Sequence, residues 1–498
     1  MLSTPQPEYN FVADSLRSRT IRALFWSFLE SIGLQGVRFV IGIMLARLMF
    51  PEQFGLIGML SIFMGVAQSF LDSGFGAALI QKREAKPVDI CSIFYFNIAV
   101  GLAAAGLLCA IAPWIAAFYE QPILTPLTRA LSLNIVINSF GMVQSSILHK
   151  QIKFKLQMKV SLISSGLSGT IGVTLAAAGF GVWSLVVQMI SGTLMGTVLL
   201  WLWNDWRPKL IFSLKSLREM FGFGSRLLAS GLLNQIFNDI YLLVIGKLYS
   251  ARELGFFTRA QALEEVPSQT LSGIVARVTF PVFSTIQDDP ARLKRGLKKA
   301  LALLALVNFP MMIGLVVVAR PLVLVLLTDK WAGSIPYLQL LCFLGLLFPM
   351  HVINLNSLRA LGRSDLFLNL EIIKKVLIII NIAATWGWGI SPMIYGMMVT
   401  SIISYYLNSY YVGFLLGYPF WEQLHDVIAY LIMAVLMGLA IYAAGFLPLF
   451  NQGLIVLVQI ALGIIVYLFL CWMFRLAAFM EVWQDWKAMP FLRAEVGE

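Results

Sequence analysis

The sequence predicts an all-α polytopic membrane protein. It reads as about 14 transmembrane helices, with two parallel six-helix halves around a central cavity and two peripheral helices. Three observations lead there: an apolar composition, an alternating placement of basic residues, and an internal repeat. Of 498 residues, 59% are hydrophobic and 12% charged, against roughly 25% charged in soluble domains. No water-soluble fold hides so much apolar surface behind so few charges. A soluble enzyme and a secreted disulfide scaffold are both excluded. The four cysteines (Cys91, Cys109, Cys342, Cys471) lie in apolar stretches without CxxC spacing, and point to neither disulfide nor metal. No metal site and no cofactor are expected.

A bilayer span needs about 20 apolar residues. Hydrophobic runs place spans near 21–48, 54–80, 88–112, 123–148, 157–179 and 182–203. A second set follows near 222–248, 254–285, 298–320, 334–358, 366–388 and 392–416, and two further spans near 427–447 and 452–474. Residues 1–20 are polar and show no short apolar core with a cleavage site, so the first span is expected to remain in the mature protein. The domains read as a 1–20 tail, a 21–203 half, a 204–221 linker, a 222–416 half, extra helices over 427–474 and a 475–498 tail. The linker mixes Trp206, Leu210, Ile211 and Phe212 with basic residues, which suits an amphipathic helix on the membrane.

The net charge of +11 would suggest nucleic acid in a soluble chain. Placement decides otherwise. With the N-terminus inside, 26 of the 36 Lys and Arg fall on the inner side, among them Lys153, Lys294 and Arg363. Five fall outside (Arg47, Lys247, Arg252, Arg320, Lys330), and five lie within spans (Arg38, Arg129, Arg226, Arg259, Arg277). Cytoplasmic loops collect Lys and Arg, so both termini are expected in the cytoplasm and no nucleic acid is a partner.

At an offset of 200 residues, Gln35, Arg47, Leu48, Gly55 and Leu71 meet Gln235, Lys247, Leu248, Gly255 and Leu271. A second echo aligns Leu148 and Lys153 with Leu358 and Arg363. Six spans separate the copies, so both halves face the same way, a parallel repeat of the kind that binds substrate between halves.

Catalytic constellations are absent: the three histidines are scattered, and no HExxH, GxSxG or Walker sequence occurs. The informative residues are charges inside spans, which are costly and so face a bundle interior or a watery cavity. The first span carries Glu30, Gln35 and Arg38, and the second Asp72. The seventh carries Arg226, Asn234, Asn238 and Asp239. In the eighth, Gln261, Glu265, Gln269, Gly273 and Arg277 recur at i, i+4 beside Arg259 and Glu264. Arginine's fork suits phosphate oxygens, so Arg38, Arg226, Arg259 and Arg277, with Gln35, Asn234, Asn238 and Gln269, are the candidate anion-binding set. Buried carboxylates gain proton affinity, which makes Glu30, Asp72, Asp239, Glu264 and Glu265 the candidate ion-coupling set. Simple ion pairing that locks helices together is the competing account for any one of these.

The stretches LARLMFPEQFGLIGML (Leu45–Leu60), LDSGFGAALIQKRE (Leu71–Glu84) and LRALGRSDLF (Leu358–Phe367) resemble the polysaccharide transporter branch of the Wzx-type flippases. The likeness is greatest to the subgroup that includes the colanic acid flippase. The resemblance implies a multidrug/oligosaccharidyl-lipid/polysaccharide exporter fold in the bacterial inner membrane. It also implies transfer of undecaprenyl-pyrophosphate-linked repeat units from the cytoplasmic to the periplasmic leaflet. The partners it implies are the lipid-linked oligosaccharide, membrane lipids, and polymerisation or export proteins. It supplies no universal ion-coupling motif. A membrane polymerase or ligase on the same glycans, or a multidrug exporter, stands as the alternative.

The topology is directly testable. In a chain freed of native cysteines, a cysteine at Glu120 should react with an impermeant thiol reagent from outside, and one at Lys153 should not. Equal labelling of the two would overturn the span assignment.

Overall fold

A computed structural model describes residues 33–72, 76, 79, 86–446 and 452–488. Among these residues all regular structure is helical. The helices are α1 (33–48), α2 (Pro51–Leu71), α3 (Pro87–Tyr119), α4 (Leu124–Lys150), α5 (Phe154–Ala177), α6 (Val182–Trp203) and α7 (Leu214–Leu248). They continue as α8 (Ala251–Thr285), α9 (Pro290–Leu326), α10 (Ser334–Ala360), α11 (Ser364–Thr385) and α12 (Ile390–Leu416). Then come α13 (Phe420–Ala444), α14 (Gln452–Met473) and the short α15 (Ala477–Ala488). Eleven are long and apolar enough, by length and composition, to cross a membrane. α8 and α11 are too polar to join that set, and α1 is described only from residue 33. The chain is an all-α, multi-pass membrane protein.

Local chemistry explains the helix starts. Pro51, Pro87 and Pro290 occupy first positions, where the missing N–H costs nothing. Asp289 Oδ1 accepts from the Arg292 N–H at 2.9 Å, and Asp89 Oδ2 accepts from the Lys86 N–H at 3.0 Å. Large apolar side chains stand exposed along helix faces, as at Leu107, Ile465 and Leu457. A soluble monomer could not afford this, but lipid covers it.

The chain forms two compact units, Met1–Gly255 and Phe256–Glu498. In the first, α3 packs on α4, α4 and α5 on α6, and α7 along α2 and α3. Thus α7, assigned by sequence to the second half, finds packing partners here. Small residues set the α5–α6 approach: Gly192 faces Ser168, and Gly172 faces Gln188. Gly169 admits Ile41 of α1, whereas a methyl group on Gly166 would meet no described atom within 4 Å.

Residues 204–213 form an irregular strap rather than a helix; α7 begins only at Leu214. The strap is tied down by hydrogen bonds. Asn204 donates to the Gln144 carbonyl (3.3 Å), Gln144 to the Trp206 carbonyl (3.2 Å) and Tyr95 to the Lys209 carbonyl (3.2 Å). The Ser213 N–H donates to Ser92 Oγ at 2.8 Å. These bonds outcompete helix formation because Pro208 blocks the i→i−4 ladder there. The span placed near 88–112 runs further, since α3 continues through Pro113 to Tyr119.

In the second unit, α9 packs on α10, α13 and α14, and α12 on α10 and α11. Lys294 pairs with Glu422 and Lys298 with Asp426, both at 2.9 Å, and Lys299 pairs with Glu481. The more exposed Lys299–Glu481 pair contributes about 0–1 kcal/mol. The value of the three pairs here is positional: the starts of α9 and α13 share one end with α15.

The second sequence echo is a structural one. In the α4–α5 turn, Lys153 N–H donates to the Leu148 carbonyl and Ile152 N–H to the His149 carbonyl, each at 3.0 Å. In the α10–α11 turn, Arg363 donates to Leu358 and Gly362 to Arg359, again at 3.0 Å. This is the same helix-ending motif, with one left-handed residue. That residue is Gly362 at φ 71° in one copy and Ile152 at φ 57° in the other. A β-branched residue there is strained by about 1–2 kcal/mol. Ile152→Gly should therefore raise thermal stability by about 0.5–1 kcal/mol after glycine's entropy cost, and Gly362→Ile should lower it by about 1–2 kcal/mol. A lower melting midpoint for Ile152→Gly would contradict the strain.

Candidate translocation site

Within the first unit, the described members of the predicted set fall on α1, α2 and α7. Arg38 is exposed and Gln35 half-buried on α1. On α7, Asn234 and Asn238 are exposed and Asp239 is half-buried. Asp72, at the end of α2, is exposed. Glu30 lies outside the described residues, as do the side chains of Arg226 and Arg277. Polar side chains open to the exterior of apolar helices need water or a polar ligand beside them.

In the second unit, the α8 stripe divides. Gln261 and Glu265 are half-buried, Gln269 is exposed, and a methyl group on Gly273 would meet open space. Glu264 instead turns inward and is only 8% exposed. A methyl group on Gly345 of α10 would stand 2.3 Å from Glu264 Oε1 and 2.7 Å from Met312 Sδ. Gly345 is thus the recess that admits the carboxyl group. Asn308 donates to the Gly345 carbonyl at 2.9 Å and holds that part of α10 in place. Arg259 sits with its guanidinium 5.7 Å from the ring centroid of the fully buried Trp331, a cation–π contact.

Three of the membrane carboxyl groups share a device whose spacing the sequence pattern registered only for Gln261 and Glu265. Gln68 donates to Asp72 Oδ1 (3.3 Å), Gln235 to Asp239 Oδ2 (2.6 Å) and Gln261 to Glu265 Oε1 (2.8 Å). Each glutamine lies four residues before its acid, one helical turn away on the same face. The signal was present as Gln-x-x-x-Asp/Glu. An amide dipole can hold either protonation state of the acid without a full opposing charge.

A second polar cluster was also missed. Asn408 donates to His351 Nδ1 at 3.0 Å, and His351 Nε2 lies 3.2 Å from Ser401 Oγ, an arrangement met by the Nε2–H tautomer. Gln423 Oε1 accepts from Asn354 (3.0 Å), Tyr405 (2.9 Å) and Ser409 (3.1 Å), while its amide donates to the Tyr418 carbonyl (3.0 Å). These bonds join α10, α12 and α13 and stiffen the unit. At the start of α11, Arg363 grips Asp365 through two bonds of 3.0 and 2.8 Å. That hydrogen bonding holds the Asp365 carboxyl at about 2, so the clip stays charged at any ordinary pH.

The profile of a family described as "Polysaccharide biosynthesis protein" matches residues 44–336, more than half of the chain. The chain is 28% identical over 445 residues to the lipopolysaccharide biosynthesis protein WzxC of Escherichia coli (strain K12), covering 85% of this chain and 89% of that one. It is 32% identical over 305 residues to the teichuronic acid biosynthesis protein TuaB of Bacillus subtilis (strain 168), covering 60% and 62%. Among solved structures, the lipid II flippase MurJ in an inward closed conformation matches with a TM-score of 0.73 at 17% identity, over 90% of this chain and 98% of that one. An inward-facing multidrug resistance MATE family transporter of the MOP superfamily matches with a TM-score of 0.60 at 16% identity, over 77% and 94%. These likenesses show the fold.

The recess at Gly345 makes a prediction. Gly345→Ala should lower thermal stability by about 1–3 kcal/mol, through the overpacking of its methyl against Glu264. Adding Glu264→Ala should recover much of that loss, because the two sites couple directly. Additive losses in the double variant would contradict the contact. The chain is a multi-pass membrane member of the polysaccharide biosynthesis protein family.

Proposed function

We propose that the chain is a flippase for undecaprenyl-pyrophosphate-linked oligosaccharide repeat units. It would carry them from the cytoplasmic to the periplasmic leaflet of a bacterial inner membrane, for exopolysaccharide, capsule or O-antigen synthesis. The observation that carries this reading is the near full-length similarity to WzxC, joined to a fold like that of a lipid II flippase. No chemistry on the glycan is required of the protein, and the reading is of a non-enzymatic carrier. The cytoplasmic placement of both termini, the two six-helix halves and the peripheral α13 and α14 belong to the same proposal.

In this mechanism Arg38, Arg226, Arg259 and Arg277 hold the pyrophosphate or acidic sugars, helped by Gln35, Asn234, Asn238 and Gln269. The lipid tail stays in the bilayer. The Trp331 ring lies 5.7 Å from the Arg259 guanidinium, and the fork of a guanidinium suits two-pronged recognition of phosphate oxygens. The carboxyl groups of Glu30, Asp72, Asp239, Glu264 and Glu265 are the coupling candidates, since a group that gains or loses a proton or metal ion changes the balance between conformations. Polymerisation and export proteins are natural partners for the emerging glycan.

The competing reading is a membrane polymerase or ligase acting on the same lipid-linked glycans. Loss of the gene separates the two. A flippase defect traps single repeat units on the inner leaflet, whereas a polymerase defect leaves single units already exported. Trapped units on the outer leaflet would reject the flippase reading.

The arginines give a second test. Arg38→Ala and Arg259→Ala should each cut export per folded molecule at least tenfold, and Lys at either position should restore it only in part, because an ammonium cannot bridge two oxygens. Normal export per molecule in both Ala variants would remove these side chains from substrate binding.

A further inference from the structure

The strap over residues 204–213 spends its backbone inward. Its polar groups are taken up by Ser92, Tyr95 and Gln144 of α3 and α4, and the Lys209 N–H donates to Cys91 Sγ at 3.4 Å. Arg207 reaches back to the Asn204 and Trp206 carbonyls at 2.5 and 2.9 Å and lies over the Trp201 ring at 5.7 Å. Ties at so many points fix the course of the chain, so the side chains it displays are held where they stand.

What the strap displays is apolar and basic together. Leu210 is 95% exposed and Leu214 73%, and Ile211 and Phe212 between them are exposed as well. Leu210, Phe212 and Leu214 alternate with Lys209, Ile211 and Ser213, the pattern of an extended chain, and the Ser213 backbone is extended at φ −137° and ψ 111°. Lys209, Lys215 and Arg218 are exposed, and over residues 205–219 four cations stand against Asp205 and Glu219. Arg207 is engaged with carbonyls of the strap itself, which leaves Lys209, Lys215 and Arg218 as the outward charges.

Two features say what covers this surface. The exposed apolar side chains begin before the strap, at Leu202 and Trp203 in the last turn of α6, a helix long and apolar enough to cross a membrane. They resume at Leu210 and end at Leu214, the first residue of α7. A protein from the aqueous side would have to cover side chains that adjoin a lipid-facing helix end. The second feature is the sign of the charge. Leucine and phenylalanine mixed with lysine and arginine suit the boundary where acyl chains meet anionic headgroups.

We infer that residues 209–218 form a binding surface for anionic phospholipid, with Leu210, Phe212 and Leu214 at the acyl boundary and Lys209, Lys215 and Arg218 on headgroup phosphates. On the proposed topology this is the cytoplasmic leaflet. The contact holds the start of α7, whose cap Ser213 lies within it, at headgroup depth. The inference goes beyond the transport reading, since it needs the strap at a bilayer surface and not a working carrier.

The test uses the purified full-length chain, free of native cysteines, with one cysteine at Leu210 carrying a nitrobenzoxadiazole label. The chain is placed in vesicles of phosphatidylcholine and phosphatidylglycerol. Emission should be quenched by a lipid bearing a nitroxide near its headgroup, and should resist aqueous iodide. Spin-labelled phosphatidylglycerol should quench about twofold more strongly than spin-labelled phosphatidylcholine at equal content, and raised salt should erase the difference. Replacing Lys209, Lys215 and Arg218 together by Gln should erase it too, while quenching by phosphatidylcholine persists. A label open to iodide and reached by neither lipid overturns the inference, and is the result expected if the strap serves a cytosolic protein instead. Equal quenching by the two lipids at low salt also overturns it. None of these readings depends on transport, so failure of the flippase reading would leave the result standing.

Discussion

Hydrocarbon offers a backbone no hydrogen-bond partner and a charge no solvation, and almost every feature of this chain answers to that constraint. It makes all regular structure among the described residues helical. At the helix ends, Lys294, Lys298 and Lys299 find Glu422, Asp426 and Glu481. The constraint also means that Arg38, Arg259 and Glu264, far from either end of the charge pattern, need a local reason to exist. For Arg259 that reason is an aromatic face; for Glu264 it is a recess kept open by Gly345.

The same constraint decided what could be read in the sequence. Apolar runs and glycine turns set the helices, because span length and backbone satisfaction are local requirements. The echo of Leu148 and Lys153 in Leu358 and Arg363 marks two turns with matching hydrogen bonds, although the left-handed residue is Ile in one and Gly in the other. The strap over 204–213 escaped prediction because its partners, Ser92, Tyr95 and Gln144, lie far away in sequence. A helical pattern cannot register ties made over that distance. The Gln423 hub was invisible for the same reason, gathering Asn354, Tyr405 and Ser409 from other helices.

Of the candidate site, the residue types were legible but not their surroundings. Depth in an apolar span singled out Asp239 and Glu265, yet not the hydrogen bonds by which Gln235 and Gln261, one turn earlier, hold them. Glu264 and Glu265 are neighbours in sequence with opposite fates, one turned into the protein and one onto the polar stripe. Helical geometry separates adjacent residues by about 100°, so packing, not composition, assigns their roles. A glycine in a helix is equally ambiguous until its neighbour is known. A methyl group would meet no described atom within 4 Å at Gly166, a movable side chain at Gly65 and a backbone at Gly55.

The function proposed for this chain turns on the movement of a lipid-linked glycan across a bilayer. The most direct measurement places the purified protein in vesicles whose inner leaflet is loaded with undecaprenyl-pyrophosphate oligosaccharide, and follows access of an impermeant glycosidase to the sugar. The account predicts that vesicles containing the protein expose the glycan at a rate that grows with an imposed ion gradient, while empty vesicles keep it sheltered. Equal shelter in both, or a lengthened glycan that never changes leaflet, would contradict it.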